Sequence, residues 1–177
     1  MFETWLKRWA LAPDGEPIIT PGSRLLPVRM GDLPAMLKVA VDAEEKFGNL
    51  LMTWWDGEGA ARVYAHHGDA LVLERAESDR SLRHMALNGQ DDEASRILCT
   101  ALARLHAPRS SSPPPLIPLW SWFASLRMAA EQQGGTYLLS LKAAEALLAE
   151  PQDVVVLHGD MHHDNVLDFG PRGWLAI

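Results

Sequence analysis

Cysteine is nearly missing from this chain: Cys99 is the only one in 177 residues. No intramolecular disulfide can form, and a reducing compartment is favoured. The apolar neighbours Leu98 and Leu102 lead us to expect Cys99 as a small core residue. Long apolar runs are lacking too. Nothing approaches the roughly 18 consecutive apolar residues of a bilayer-spanning helix, and Glu3, Lys7 and Arg8 interrupt the short N-terminal face of Trp5, Leu6 and Trp9, unlike a signal peptide. The chain therefore reads as soluble and cytoplasmic, with no membrane partner. No repeat of fixed period is present. An excess of positive charge is also lacking: 16 Lys and Arg stand against 23 Asp and Glu, for a net charge of -7. That balance disfavours a nucleic-acid partner and suits a cationic ligand, although it defines no site. Nothing in the residues speaks to oligomeric state.

What is present is an ordinary globular composition, 47% hydrophobic, enough for one domain or two small lobes. From Arg8 to Val41, short apolar runs alternate with Asp14-Gly15, Pro21-Gly22-Ser23 and Gly31-Asp32, the signature of a β-meander. The Pro21-Gly22-Ser23 turn could cover a nucleotide phosphate or be a plain hairpin; it lacks the G-x-G-x-x-G pattern. Over Asp42 to Trp55, Ala43, Phe47, Leu50, Leu51 and Trp54 recur at helical spacing, and Gly57 and Gly59 end the stripe. AARVYAH and ALVLERA read as two strands joined at His67-Gly68-Asp69.

Beyond Arg75 the pattern turns helical. The segment DDEASRILCTALARLHAP opens on acidic residues that suit a helix N-terminus and closes before Pro108. A Ser110 to Pro115 linker follows, then helices over Leu119–Gln132 and Leu138–Leu148. The strand-like run Val154 to Leu157, a polar loop, and a VLDF/WLAI hairpin around Gly170-Pro171-Arg172-Gly173 complete the chain. Strands first and helices later give an α+β plan with a sheet-rich N-terminal lobe.

The chemistry is concentrated in His158-Gly159-Asp160-Met161-His162-His163-Asp164-Asn165, whose skeleton is H-x-D-x-x-x-x-N. In a phosphotransferase loop, such an Asp orients the attacking hydroxyl and such an Asn binds magnesium. The same residue types also make a plain polar loop. A metal hydrolase is a third reading, because His158, Asp160, His162, His163 and Asp164 are all potential ligands; against it, no second His/Cys group lies at metal-site spacing. Upstream, Lys38 sits on a strand where a kinase places a cation for nucleotide phosphates, and Glu45 stands at the start of the next helix, able to pair with it.

The strings TWWDGEGAARV, DDEASRILCTALARLHAP, LHGDMHHDNVLDFGPRGWLAI and LLPVRMGDLPAMLKVA resemble the aminoglycoside and hydroxyurea antibiotic-resistance kinases, in particular their streptomycin 6-phosphotransferases. The likeness covers nearly all of the chain. It implies a protein-kinase-like bilobal α+β fold, with a nucleotide-binding lobe over residues 1–75 and a helical lobe with the catalytic loop over 76–177. It further implies ATP and Mg²⁺ as cofactors and streptomycin, phosphorylated at position 6, as substrate.

By the same likeness Asp160 is the catalytic base and Asn165 a magnesium ligand. Lys38 holds phosphate, with Glu45 as its partner and Glu44 as the alternative. Glu74-Arg75-Ala76 is the hinge whose backbone meets adenine, so that Glu74 and Ala76 contact the nucleotide. His158 braces the loop. Asp168-Phe169-Gly170 spells the kinase metal-binding triplet, but it follows Asn165 by only three residues and is read as part of a hairpin turn. In the family the second metal-binding Asp comes about a dozen residues past the Asn, just beyond Ile177. The resemblance therefore implies a truncated C-terminal lobe and an inactive chain, and it carries over no acceptor-binding residue. A nonenzymatic remnant that binds nucleotide weakly is the alternative.

Overall fold

The computed structural model describes residues 1–177. Two compact units emerge from the packing: residues 1–114 together with 156–177, and residues 115–155.

In the larger unit, the short helix α1 (Glu3–Arg8) precedes an antiparallel sheet of six strands. These are β1 (Leu11–Pro13), β2 (Ile18–Ile19), β3 (Ser23–Met30), β4 (Leu33–Ala40), β5 (Val63–His67) and β6 (Ala70–Glu74). Their order is β1-β3-β4-β6-β5, with β2 pairing on the end of β3. Between β4 and β5 runs α2 (Ala43–Trp55); after β6 come α3 (Leu82–Leu87) and α4 (Asp91–Leu105), and the unit ends in the hairpin β7 (Val166–Asp168) and β8 (Trp174–Ala176).

Strand alternation gives the sheet two faces with different partners. Leu26, Val28, Ala35, Leu37, Ala70 and Val72 form one buried cluster, against which Phe2, Trp5, Leu6 and Trp9 of the N-terminal segment pack. The opposite face carries Leu71 and Leu73, and joins Leu51, Met52 and Trp55 of α2, Leu105 of α4, and Phe169, Leu175 and Ala176 of the hairpin. Lys38 lies opposite Leu71, and Met36 opposite Leu73, in the β4/β6 register. The lysine therefore shares the second face, toward α2 and the hairpin. A third cluster of Leu82, Ala94, Ala101 and Val166 fixes α3 and α4 to β7.

α2 begins at Asp42, whose Oδ1 accepts from the Glu45 N–H at 2.9 Å, and it ends with Asp56 in the left-handed region, its N–H bonded to the Met52 carbonyl at 3.0 Å. Its buried face is Asn49, Leu51, Met52 and Trp55, so the expected stripe is out of phase: Phe47 and Leu50 are exposed. The cause is Asn49, which a hydrophobic count places outside. Fully buried, it donates from Nδ2 to the Asp69 carbonyl at 3.1 Å and turns the helix so that Trp55 faces the core.

Two further expectations are corrected. Cys99 is exposed; Ala94, Ala101 and Leu105 are the buried residues of α4. Residues 154–157 form no strand, and Val154 is 80% exposed. An apolar run becomes a strand only when a neighbour completes its ladder, and the edge of β8 is instead bridged by Ala60. Finally, α3 is short and was not anticipated; Ser81 caps it by accepting from the His84 N–H at 3.3 Å, and Leu82 plugs the third cluster.

The hairpin is anchored by Asp168, the first residue of the D-F-G triplet. It is 5% exposed, and its carboxylate accepts from Ser78 Oγ at 3.0 Å, Arg80 at 3.1 Å and the Gly170 N–H at 2.9 Å. Every bond ties the hairpin to itself or to the segment after β6. Asp168→Ala should cost about 1.5–3 kcal/mol, the range for bonds to a charged group, seen as a lower urea midpoint with unchanged slope.

The smaller unit comprises α5 (Leu119–Trp122), α6 (Ala124–Gln133) and α7 (Gly135–Ala149). Gly134 and Gly135, both with positive φ, make the turn between α6 and α7. Its buried residues are Ala130 and Leu141. No helix of the chain is long and apolar enough to cross a membrane.

Candidate active site

Lys38, held mid-strand by pairing with both β3 and β6, extends toward the first turn of α2. Its Nζ meets Glu45 Oε2 at 2.6 Å, with the two side chains 18% and 33% exposed. Glu44 is exposed, and Glu45 is the glutamate that meets the lysine. At partial burial such a pair keeps more of its attraction than a surface pair does.

The H-x-D-x-x-x-x-N segment is closed on itself by hydrogen bonds. Asn165 Nδ2 donates to the Asp160 carbonyl at 2.8 Å and to Asp160 Oδ2 at 3.1 Å. With the amide nitrogen assigned by two oxygen acceptors, Asn165 Oδ1 remains as an unshared acceptor. The Asn165 N–H bonds to the His162 carbonyl at 3.0 Å, and the Asn165 carbonyl accepts from Ile177 at 3.1 Å, joining the loop to the residue after β8. His162 Nδ1 accepts from the Asp164 N–H at 3.2 Å, leaving its Nε2 to face Asp160 Oδ2 at 3.4 Å. Asp160 itself is 74% exposed, a carboxylate fixed in direction yet open to an incoming group.

His158 supports the loop from below. Its ring stacks on Trp55 with centroids 5.9 Å apart and planes 9° from parallel. Nε2 bonds to the Ile177 main-chain oxygen at 3.1 Å, and Nδ1 accepts from the Asp160 N–H at 3.3 Å. Both nitrogens are used, one as donor and one as acceptor, which only the neutral ring can do. Burial pushes the pKa of His158 below 6.5; the bond to Ile177 and the Asp160 charge oppose that shift, and the positive charge of Lys38 adds to it. Lys38 thus lies within electrostatic reach of His158.

A stability consequence follows from that pKa. With the folded pKa depressed, the unfolded chain takes up a proton below pH 6.5 that the folded chain refuses. The His158 contribution is therefore complete above about pH 6.5 and lost as pH falls from there through the folded pKa. Thermal melts across this window should show declining stability, with a shallower decline in His158→Gln.

The sequence-predicted residues divide into groups. Lys38 pairs with Glu45, and His158, Asp160 and Asn165 are bonded to one another. Glu74 and Ala76 stand at the end of β6: the Glu74 N–H bonds to the Arg62 carbonyl at 2.9 Å, and its carboxylate pairs with Arg172, whose other nitrogen bonds the Gly57 carbonyl at 2.7 Å. The Glu74 side chain is therefore committed to the hairpin tip, while Ala76 packs against the cluster under Lys38. No three His, Cys, Asp or Glu side chains converge as a metal-holding group.

Sequence reasoning missed Trp55, buried to 2% beneath His158. The tandem Trp54-Trp55 gave the only signal, and the misphased stripe selected the wrong one.

Comparison with known proteins places this geometry. Across residues 8–177 the chain matches the family described as aminoglycoside/hydroxyurea antibiotic resistance kinase. It is 56% identical to a streptomycin 3''-kinase of Klebsiella pneumoniae over 97% of this chain and 64% of that protein. It is 32% identical to a streptomycin 6-kinase of Streptomyces griseus over 96% of this chain and 58% of that protein. The chain thus spans about three fifths of the length of these relatives. Among solved structures, an ethanolamine kinase of Plasmodium vivax aligns with a TM-score of 0.60 at 10% identity, over 92% of this chain and 54% of its own. A fructosamine-3-kinase candidate from Thermobifida fusca aligns at 0.52 and 20% identity, over 94% of this chain and 66% of its own. These likenesses fix the fold as protein-kinase-like α+β. With the lysine–glutamate pair and the Asp160/Asn165 loop in that fold, and with the family matched over residues 8–177, the chain belongs to the aminoglycoside/hydroxyurea antibiotic resistance kinases.

Proposed function

We propose that residues 1–177 supply the nucleotide side and the catalytic loop of an enzyme that transfers the γ-phosphate of ATP to a hydroxyl of streptomycin, conferring resistance. What supports this is the Asn165 amide holding the exposed Asp160 carboxylate in place, beside a His158 that feels the charge of the Glu45-paired Lys38. Asp160 receives the proton of the attacking hydroxyl as the new O–P bond forms and the bond from the γ-phosphorus to the bridging oxygen breaks, releasing ADP. Lys38 neutralises phosphate charge, and Glu45 fixes its direction. Magnesium, when bound, supplies further charge neutralisation; a hard oxygen suits it, and Asn165 Oδ1, left without a protein partner, is the oxygen offered. Backbone groups of Glu74 and Ala76 meet the adenine. Little covalent work falls to the protein, and rate comes from positioning and electrostatics.

The larger lobe division, residues 1–75 for nucleotide and 76–177 for the catalytic loop, belongs to this reading. So does the acceptor position. The sequence resemblance pointed to position 6, whereas the 56% identical relative is named for the 3'' hydroxyl, and the latter similarity is the stronger guide.

Isothermal titration of the 177-residue chain with ATP tests the nucleotide half: binding should require Mg²⁺ and weaken in Lys38→Ala. Binding that ignores both magnesium and Lys38 would remove this site from the nucleotide.

A further inference from the structure

Gly22 lies in the turn between β2 and β3, which sequence reasoning weighed as a phosphate cover or a plain hairpin. It packs against the N-terminus of α2 instead. A methyl group built on Gly22 would stand 2.8 Å from Asp42 Oδ2, 2.9 Å from Glu45 Cγ and 3.2 Å from Glu45 Oε1. Those are the capping residue of α2 and the partner of Lys38. The backbone at Gly22 is not in the left-handed region, so the requirement here is for space and not for conformational freedom.

Which side must yield is decided by what holds each. The turn is pinned on both flanks. The Gly22 carbonyl accepts from the Val41 N–H at 2.8 Å, the Ser23 N–H bonds Thr20 Oγ1 at 3.0 Å, and the Thr20 N–H bonds the Ser23 carbonyl at 3.1 Å. Arg24 adds contacts to the carbonyls of Thr20 and Ser23. Opposite, Glu45 is an unbranched side chain held at its tip by Lys38 and partly open to solvent. Any added atom on Gly22 would press on the Asp42 carboxylate and on Glu45 before it moved the turn.

From this we infer that Gly22 is a positioning residue. Its missing side chain is the space that lets Glu45 reach Lys38, so the turn sets the phosphate-binding lysine through the glutamate without needing to touch nucleotide. The consequence for catalysis rests on the phosphate role proposed for Lys38, whereas the geometric claim can be tested without nucleotide or streptomycin.

The chain has four lysines, Lys7, Lys38, Lys46 and Lys142. Reductive methylation with carbon-13 formaldehyde therefore gives a simple NMR spectrum, in which the Lys38 signal is the one lost in Lys38→Arg. In Gly22→Ala that signal should shift to the position it takes in Glu45→Ala, and the double variant Gly22→Ala/Glu45→Ala should shift it no further. Gly48→Ala, placed in α2 with nothing within 4 Å of the added carbon, should leave it unmoved. A Lys38 signal in folded Gly22→Ala that coincides with the parent's would overturn the inference, and so would a further shift in the double variant. Should Gly22→Ala alone fail to fold, the double variant decides. Recovery of a cooperative melt there, and not in Gly22→Ala/Asp42→Ala, supports the clash with Glu45; any other outcome refutes it.

Discussion

Replacing Asp160 by asparagine should lower turnover by about 10²–10⁴-fold, the usual worth of a positioned general base, while the apparent affinity for ATP stays within a few-fold. Because the chain spans about three fifths of its relatives, the assay is best run in a chimera joining residues 1–177 to the remaining length of the 56% identical streptomycin 3''-kinase. Asparagine keeps the size of the side chain and can still meet Asn165, so the loop should hold its shape. What it loses is the carboxylate oxygen proposed to take a proton from the acceptor hydroxyl. Steady-state kinetics separate the two effects: a fall in kcat with little change in KM for ATP is the expected pattern. Equal turnover by the variant and its parent would take Asp160 out of the chemistry.

Trp55→Ala should be the most destabilising single substitution in the larger unit, costing about 3–5 kcal/mol as buried aromatic truncations do. Trp55 is 2% exposed, lies in the cluster formed by α2, the sheet and the hairpin, and carries the His158 ring on its face. Against a typical net stability of about 5–15 kcal/mol, that loss is large. Trp55→Phe should recover much of it, because a smaller ring still fills part of the space and can still stack. Chemical denaturation of the parent and both variants measures this directly. A Trp55→Ala cost below about 1 kcal/mol would mean that the cluster closes without it.

The same tryptophan shows where sequence reading reaches its limit. Hairpins at Gly31-Asp32 and His67-Gly68-Asp69 were legible because turn chemistry is local, and the H-x-D-x-x-x-x-N segment stood out by its residue types and spacing. The phase of α2 was not, because it depends on Asn49 finding the Asp69 carbonyl twenty residues away. Val154 to Leu157 has the composition of a strand but no partner, and pairing is not written in the run itself. Cys99 adjoins an apolar stripe, yet α4 buries the face through Ala94, Ala101 and Leu105. Lys38 and Glu45 were placed correctly as neighbours, while the requirement that Gly22 be bare becomes visible only once the turn and the helix are seen together.

Phosphate transfer through this site is the decisive property to measure. The chimera carrying residues 1–177 should be incubated with magnesium, ATP radiolabelled at the γ-phosphate, and streptomycin, and the drug recovered and mapped by NMR. Label is expected on a streptomycin hydroxyl, at the 3'' position by the stronger similarity, with near-complete loss in the Asp160→Asn chimera. A folded, ATP-binding chimera that leaves streptomycin unlabelled, or one that labels it equally well without Asp160, would contradict the proposal.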